Sequence, residues 1–252
     1  MSKRVMAFMA HPDDAEFTCA GTLARLKREA DCRIVIATAT SGDCGAPDRR
    51  PEEIARIRHE EAKAAAGVLD ARYYAGGAID LFILHDAPTL RRFVEIVRKA
   101  RPDIVITHPP ADYMIDHEMV SLLVRTACFS APAPNMLTYD ENPSPPLKAV
   151  PHLYYVDPLE LKDMFGEPVA PDFVVDITAV LAIKEEMLAC HASQREWLRA
   201  HHGVDEYLEL MKRTAAERGQ LIGRPAGEGF RQHRGHPHPQ NNLIAELLNM
   251  NQ

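Results

Sequence analysis

Four short apolar runs mark the first half of the chain, and each leads into a segment where apolar residues recur every three or four positions. Arg4 to Ala10 precedes Phe17, Ala20, Leu23 and Leu26, and Arg33 to Ala39 precedes Ile54, Ile57, Ala62, Ala65 and Leu69. The run ARYYA (71–75) precedes Leu90, Phe93 and Val97, and PDIVITH (102–108) precedes Val120, Leu123, Val124 and Ala127. Strands alternating with crossover helices predict an α/β fold of the doubly wound kind: a mostly parallel sheet with helices on both faces. Ligands of such sheets bind beyond the carboxyl ends of the strands.

The texture changes after residue 130. SAPAPNMLTYDENPSPPLKAVP (130–151) is too rich in proline for a regular helix or a central strand. It is expected as an irregular segment over or beside the site, with a part in specificity. HLYYVDP (152–158) and PDFVVDIT (171–178) read as two more strands, and 178–200 and 204–218 as amphipathic helices. The last part, GEGFRQHRGHPHPQNNLIAELLNMNQ, reads as loop-rich with a short apolar helix that packs on its own core or on a neighbouring subunit. No internal repeat is visible. The chain 1–252 therefore reads as one domain, with the irregular segment 130–150 and a helical, loop-ended C-terminal part, 178–252.

Composition narrows the possible partners. A formal net charge of -7 leaves no global positive field to hold nucleic acid phosphates. No apolar stretch approaches the roughly 20 residues of a membrane helix, and MSKRVMAFMAH meets charge too soon for a signal peptide. Five cysteines, odd in number and in no CxxC pair, fit a soluble, cytoplasmic chain without disulfides.

The end of the first strand is where chemistry enters. His11, Pro12, Asp13 and Asp14 follow the apolar run directly, and adjacent carboxylates beside a buried strand repel each other and lose solvation. A bare helix start would explain the proline and the acids, because both suit a first helical turn. A second cluster favours a metal: THPPADYMIDHEMV (107–120) follows another strand and holds His108, Asp112, Asp116 and His117. A neutral imidazole and a carboxylate suit Zn²⁺, and a catalytic zinc needs three protein ligands and one position for water. His11, Asp14 and His117 are the expected ligands, with Asp116 a neighbouring carboxylate that fixes ring orientation. The same donors also accept Fe²⁺ or Co²⁺.

AHPDDAE (10–16), SGDCG (41–45), RHEEAKAAAGVL (58–69), RPDIVITHPPADYMIDH (101–117) and HASQ (191–194), taken together, resemble the LmbE-like, PIG-L family of zinc-dependent N-deacetylases. The resemblance spans essentially the first 200 residues in the family's order. It implies a Rossmann-like fold, a homo-oligomer, and hydrolysis of the acetamide of N-acetylglucosamine-type amino sugars. By motif position it makes His11, Asp14 and His117 the zinc ligands and Asp13 the general base. Bound zinc lowers the pKa of its water toward about 7, and Asp13, beside ligand Asp14, is placed to take the proton.

One position departs from the family pattern. Many members carry a histidine three residues before the last metal ligand, which the resemblance assigns to oxyanion stabilisation or proton donation. Here that residue is Met114, and a thioether cannot donate a proton. Either Asp13 returns the proton it took, or Tyr113 or His85 substitutes, or the substrate differs. Two alternatives follow: a metal-containing carbohydrate-binding or regulatory protein without turnover, and an amidase acting on a small thiol conjugate.

Weaker features complete the expected site. Arg58 occupies a position from which the family reaches substrate oxygens, against the plainer reading of an exposed helix arginine paired with Glu61. Asp80 orients a sugar hydroxyl or is a turn aspartate, and Ser41, Gly42 and Asp43 line the pocket or form a plain turn. Asp112 and Tyr113 are further candidates for substrate contact. His191, in HASQ, matches the family, but packing on a late helix is the favoured reading. His233, His236 and His238 read as a solvated tail in preference to a metal site. No GxGxxG or Walker loop is present, which disfavours nucleotide binding.

Overall fold

In the computed structural model, β1 (Arg4–Met9) lies in the interior of the sheet, and both of its faces are apolar. Val5, Ala7 and Met9 point to one face, and Met6 and Phe8 to the other; all are fully buried. The structure describes residues 2–45, 49–195 and 206–250. The other strands are β2 (Arg33–Thr40), β3 (Arg72–Ala78), β4 (Ile104–Thr107), β5 (His152–Val156), β6 (Phe173–Asp176) and β7 (Gly227–Gln232). They pair in the order β3-β2-β1-β4-β5-β7-β6. β1 to β5 are parallel, and β7 runs antiparallel to both β5 and β6.

The helices that accompany the sheet include α1 (Asp14–Thr18), α2 (Ala20–Ala30), α3 (Pro51–Val68), α4 (Ala87–Ala100), α5 (Ile115–Ser130), α6 (Leu181–Ala189), α7 (Glu206–Gln220) and α8 (Leu243–Leu247). Leu23 and Leu26 of α2 and Met187 of α6 pack with Val5, Ala7 and Met9 on one face. Phe93 and Val97 of α4 and Leu123 and Val124 of α5 pack with Met6 and Phe8 on the other. The Phe8 and Phe93 rings lie 4.6 Å apart. Burial of each such side chain stabilises the fold by about 1.5–3 kcal/mol. The chain leaves β1 toward β2 and β3 on one side, while β4 and β5 extend the other. The crevice beyond β1 and β4 is thus the topological switch point of the sheet.

Several expectations require correction. Residues 130–151 do not cover the site. They lie against α4, where Arg98 donates to the carbonyls of Ala131, Ala133 and Met136, and Glu95 accepts from Thr138 and Ser144. A buried arginine and glutamate replace the hydrogen bonds that the prolines cannot make. The expected single helix 178–200 is a 3-10 turn (Thr178–Val180), then α6, which stops at Ala189, and after a break at 190–191 helix again over 192–195. Ser193 then donates its N–H and Oγ to Glu61 on α3, at 2.8 and 2.7 Å; residues 196–200 lie outside the described residues. The helix expected over 204–218 is α7, with 204 and 205 also outside them.

The C-terminal part holds a strand that its composition concealed. β7 includes two glycines, and Phe230 is its one large apolar side chain, yet the strand fills the gap between β5 and β6. Glu228 on β7 accepts from the Gly21 and Thr22 N–H groups and from Lys184 Nζ, so a buried ion pair ties β7 to α2 and α6. The histidine tract is not a solvated tail either. His238 is buried with Nδ1 donating to Pro151 O at 3.0 Å, and His233 lies 2.9 Å from Tyr155 Oη; His236 is exposed. α8 packs Ile244 into the same core as α2, so its apolar face is used within the chain.

Candidate metal centre

The residues that follow β1 and β4 meet in the switch-point crevice. After β1 the chain bends at His11, and Asp13 adopts a left-handed backbone (φ 102°) that sends its side chain away from that of Asp14 at the start of α1. A non-glycine residue accepts that conformation where the surroundings over-determine it. The surroundings here are Arg58, which donates to Pro12 O at 2.6 Å and Gly42 O at 3.2 Å, and Asp14, whose Oδ2 accepts the His11 N–H at 2.7 Å. Gly42 (φ 64°) is required beneath Arg58, because a Cβ there would strike the guanidinium.

One ligand atom from each of His11, Asp14 and His117 lies within 4.8 Å of the others. His11 Nδ1 is 3.3 Å from Asp14 Oδ2, and His117 Nε2 is 3.6 Å from Asp14 Oδ1. The far nitrogen of each ring is held by carboxylates. His117 Nδ1 lies 3.0 Å from Asp112 Oδ1, and His11 Nε2 lies 3.1 Å from Asp80 Oδ1 and 3.3 Å from Asp116 Oδ2. Asp112 thus orients His117, whereas Asp116, expected to hold a ring, holds that of His11 and accepts the Leu81 N–H. Asp80 sits in a turn closed by the Phe82 N–H on Ile79 O at 3.1 Å, and it also accepts from Thr40 Oγ1 and Cys44 N.

These partners test whether the site suits a cation. With their outer nitrogens donating to carboxylates, both rings turn bare lone pairs toward a carboxylate, with no donor between them. His108 stands beside them in a different way. Its Nε2 accepts the Ala10 N–H at 3.0 Å, yet it stands 3.1 Å from Asp14 Oδ2, and its ring stacks on that of His117 at 3.8 Å. Lone pairs converging on a buried carboxylate fit a divalent cation. Burial lowers the pKa of His11 and His117, but the surrounding carboxylates outweigh it and raise both. Burial raises the pKa of Asp14, but His117 and His108 hold it well below the usual range. Burial lowers that of His108, which matches a neutral ring.

Asp13 stands apart from this set. Its Oδ2 accepts from Tyr207 Oη at 2.5 Å and from Arg58 Nη2 at 3.3 Å. Burial, with Asp14 alongside, raises its pKa against the opposing effect of Arg58. Arg58 is 4% exposed and makes no intrahelical pair; Glu61 is occupied by Ser193. Of the remaining candidates, Tyr113 sets its ring edge-on to His117 at 5.5 Å and is exposed, while Met114 is the N-cap of α5. Ser41 donates to Asp43 and is not among the converging groups. His191 is fully buried, 3.5 Å from Glu16, in keeping with a packing role. His85 faces Thr126 on the exposed side of α5. A cavity of about 30 Å³ beside Asp14, His108 and His117 has Phe17 and Leu159 as apolar walls.

Sequence reasoning missed two contributors. Tyr207 carries no local signature, and only the fold brings α7 over Asp13. His108 was visible in the second cluster, and its place at the end of β4, beside β1, was the signal that could have promoted it.

Comparison with known proteins agrees with this architecture. Residues 6–128 match the family model described as PIG-L, GlcNAc-PI de-N-acetylase. A 4-oxalmesaconate hydratase of Pseudomonas putida is 24% identical over 239 residues, which cover 89% of this chain and 83% of the relative. N,N'-diacetylchitobiose deacetylase from Pyrococcus horikoshii superposes with a TM-score of 0.77 at 23% identity, covering 96% of this chain and 89% of that one. The 4-carboxy-2-hydroxymuconate hydratase of Pseudomonas putida KT2440 superposes with a TM-score of 0.75 at 23% identity, covering 96% and 99%. At these identities the structural likeness is one of fold. The match over residues 6–128, which contains the whole His/Asp cluster, makes that stretch a PIG-L, or LmbE-like, family domain.

Proposed function

We propose that this protein is a zinc-dependent hydrolase that removes an acyl group, acetyl in the first instance, from the nitrogen of an amino sugar or glycoconjugate. The observation that carries the reading is the meeting of His11 Nδ1, Asp14 and His117 Nε2 beside the separately held carboxylate of Asp13. Zinc held by those three residues would supply an activated water and polarise the amide carbonyl. Asp13 takes a proton from water, and the raised pKa that burial gives it suits a group that must hold that proton. Arg58 and Tyr207 fix the carboxylate while it does so. Asp112 holds His117, and Asp80 and Asp116 hold His11, in the tautomers that bind a cation. Phe17 and Leu159 leave room for a small acyl group. The leaving amine receives its proton from Asp13, because Met114 cannot donate and His85 faces Thr126 on the exposed side of α5.

Acetate release tests this, from N-acetylglucosamine and a panel of its conjugates, with metal-stripped protein, with added zinc, and with Asp13→Ala alongside. Zinc-dependent release that disappears in Asp13→Ala supports the reading; stoichiometric zinc binding without release from any substrate defeats it.

A second reading is favoured by Met114 together with the likeness to a hydratase in both sequence and fold. Adding water across a carbon–carbon double bond of an unsaturated carboxylic acid needs a base for the water, and the proton it takes passes to the carbon beside the carboxylate, so there is no leaving amine to protonate. The same preparations, offered a conjugated unsaturated dicarboxylic acid, would show loss of its ultraviolet absorbance if this reading holds.

A further inference from the structure

The end of the sheet opposite the metal centre carries a feature that the hydrolytic reading leaves unused. Two grooves of about 920 and 910 Å³ run along the amino ends of the strands and share Ser2, Arg4, Arg33 and Arg101. Beyond these, one groove is walled by prolines with Leu147 and Leu243, and the other by Lys27, Arg72 and Lys99. The acids lining them are Asp31, Asp70 and Asp103, of which two are already engaged. Asp103 pairs with Lys3 at 2.9 Å and Asp70 with Lys27 at 3.3 Å.

Arg4 and Arg33 are register partners on adjacent parallel strands, a separation of about 4.8 Å between backbones. Like charges directly opposed in a ladder are destabilising. Among the described residues, neither they nor Arg101 has a carboxylate within ion-pair distance. Helix dipoles account for part of the surrounding charge: Lys27 ends α2 and Lys99 ends α4. They do not account for Arg4 and Arg33, which begin strands. In a chain of net charge -7, opposed arginines between two large grooves are a local exception that an anion would turn from repulsive to attractive. Guanidinium forks match phosphate oxygens, so side chains here could do what glycine-rich backbone loops do elsewhere.

We propose that the two grooves form one binding site for a small ligand bearing two or more phosphate groups, centred on Arg4, Arg33 and Arg101. The basic arm takes the phosphates, and the proline-walled arm takes an apolar group joined to them. The site is independent of the hydrolase reading, and its occupant is distinct from the substrate of the metal centre.

Calorimetric titration of the full chain with ATP, and separately with tripolyphosphate, at low and at high salt, tests the proposal. The expected result is saturable one-to-one binding that weakens with salt. It should fall about tenfold or more in the Arg33→Gln/Arg101→Gln double variant. It should be unchanged in Arg28→Gln, since Arg28 is exposed on α2 outside both grooves. ATP binding tighter than tripolyphosphate supports an apolar group in the proline-walled arm, and equal binding overturns that part of the proposal. Thermal melting checks that the variants fold, and Arg33→Gln alone carries the same readout if the double variant does not. Absence of saturable binding at low salt, binding that survives the double variant, or equal loss in Arg28→Gln would overturn it.

Discussion

Tyr207 on α7 donates a 2.5 Å hydrogen bond to Oδ2 of Asp13, a residue 194 positions earlier in the chain. Arg58 donates to the same oxygen, so Oδ1 is the oxygen left to accept a proton from water. Removing the phenol should loosen the base without removing it. Tyr207→Phe is expected to lower kcat for the hydrolytic reaction about tenfold with KM little changed, whereas Asp13→Asn abolishes turnover. Steady-state kinetics on the two variants separates positioning from the chemistry itself.

Asp112 holds His117 through Nδ1, leaving Nε2 to face Asp14. Asp112→Asn keeps the shape but weakens the hold on the tautomer. Metal affinity should fall about 10- to 100-fold, measured by competition with a chromophoric chelator. An Asp112→Asn protein that holds zinc as tightly as the unaltered one would place the ion elsewhere.

The Lys184–Glu228 pair is fully buried, with Nζ 2.5 Å from Oε1. Lys184→Met leaves a carboxylate in the core with two backbone N–H donors and no counter-charge. Urea denaturation should show a loss of about 3–5 kcal/mol. Adding Glu228→Gln should recover part of that loss, because the buried charge is then gone.

His238 supplies a pH dependence with a definite sign. Burial lowers its pKa, and His152 and Arg125 nearby add to the effect against the Pro151 carbonyl. The unfolded chain, titrating near about 6.5, therefore binds a proton that the folded chain does not. The stability His238 contributes is complete above that value and is lost as pH falls through it toward the folded pKa. Comparing the unaltered protein with His238→Gln isolates the effect from His11 and His117, whose raised pKa values act in the opposite sense. The stability advantage of the unaltered protein should shrink between pH about 7.5 and about 5, read from urea denaturation across that range.

The parts of this molecule that the sequence made legible are those buried on both faces. β1, β2 and β4 are uninterrupted apolar runs, and the polar residues that end β1 and β4 stand out against them. β7 was hidden because GEGFRQ has neither alternation nor a run; long-range pairing with β5 and β6 makes it a strand. The end of α6 was hidden for a related reason, since the side chain that diverts it, Glu61, belongs to α3. In the site, His11, Asp13, Asp14 and His117 could be read from local spacing. The pairing of Asp112 with His117 and of Asp116 with His11, and the reach of Tyr207, depend on how α5 and α7 lie.

The position of β7 bears on the order in which the protein is made. β7 lies between β5 and β6 and is the last strand to be synthesised, at residues 227–232. When the ribosome has delivered β6, at residue 176, β5 and β6 both present open edges with no strand to bridge them. Open edges pair readily with other chains. His11, Asp14 and His117, by contrast, are complete once α5 has formed at residue 130. A growing chain therefore has its candidate metal ligands before it has a closed sheet. Metal captured early would steady the N-terminal half during the interval in which the C-terminal half is most exposed to misassembly.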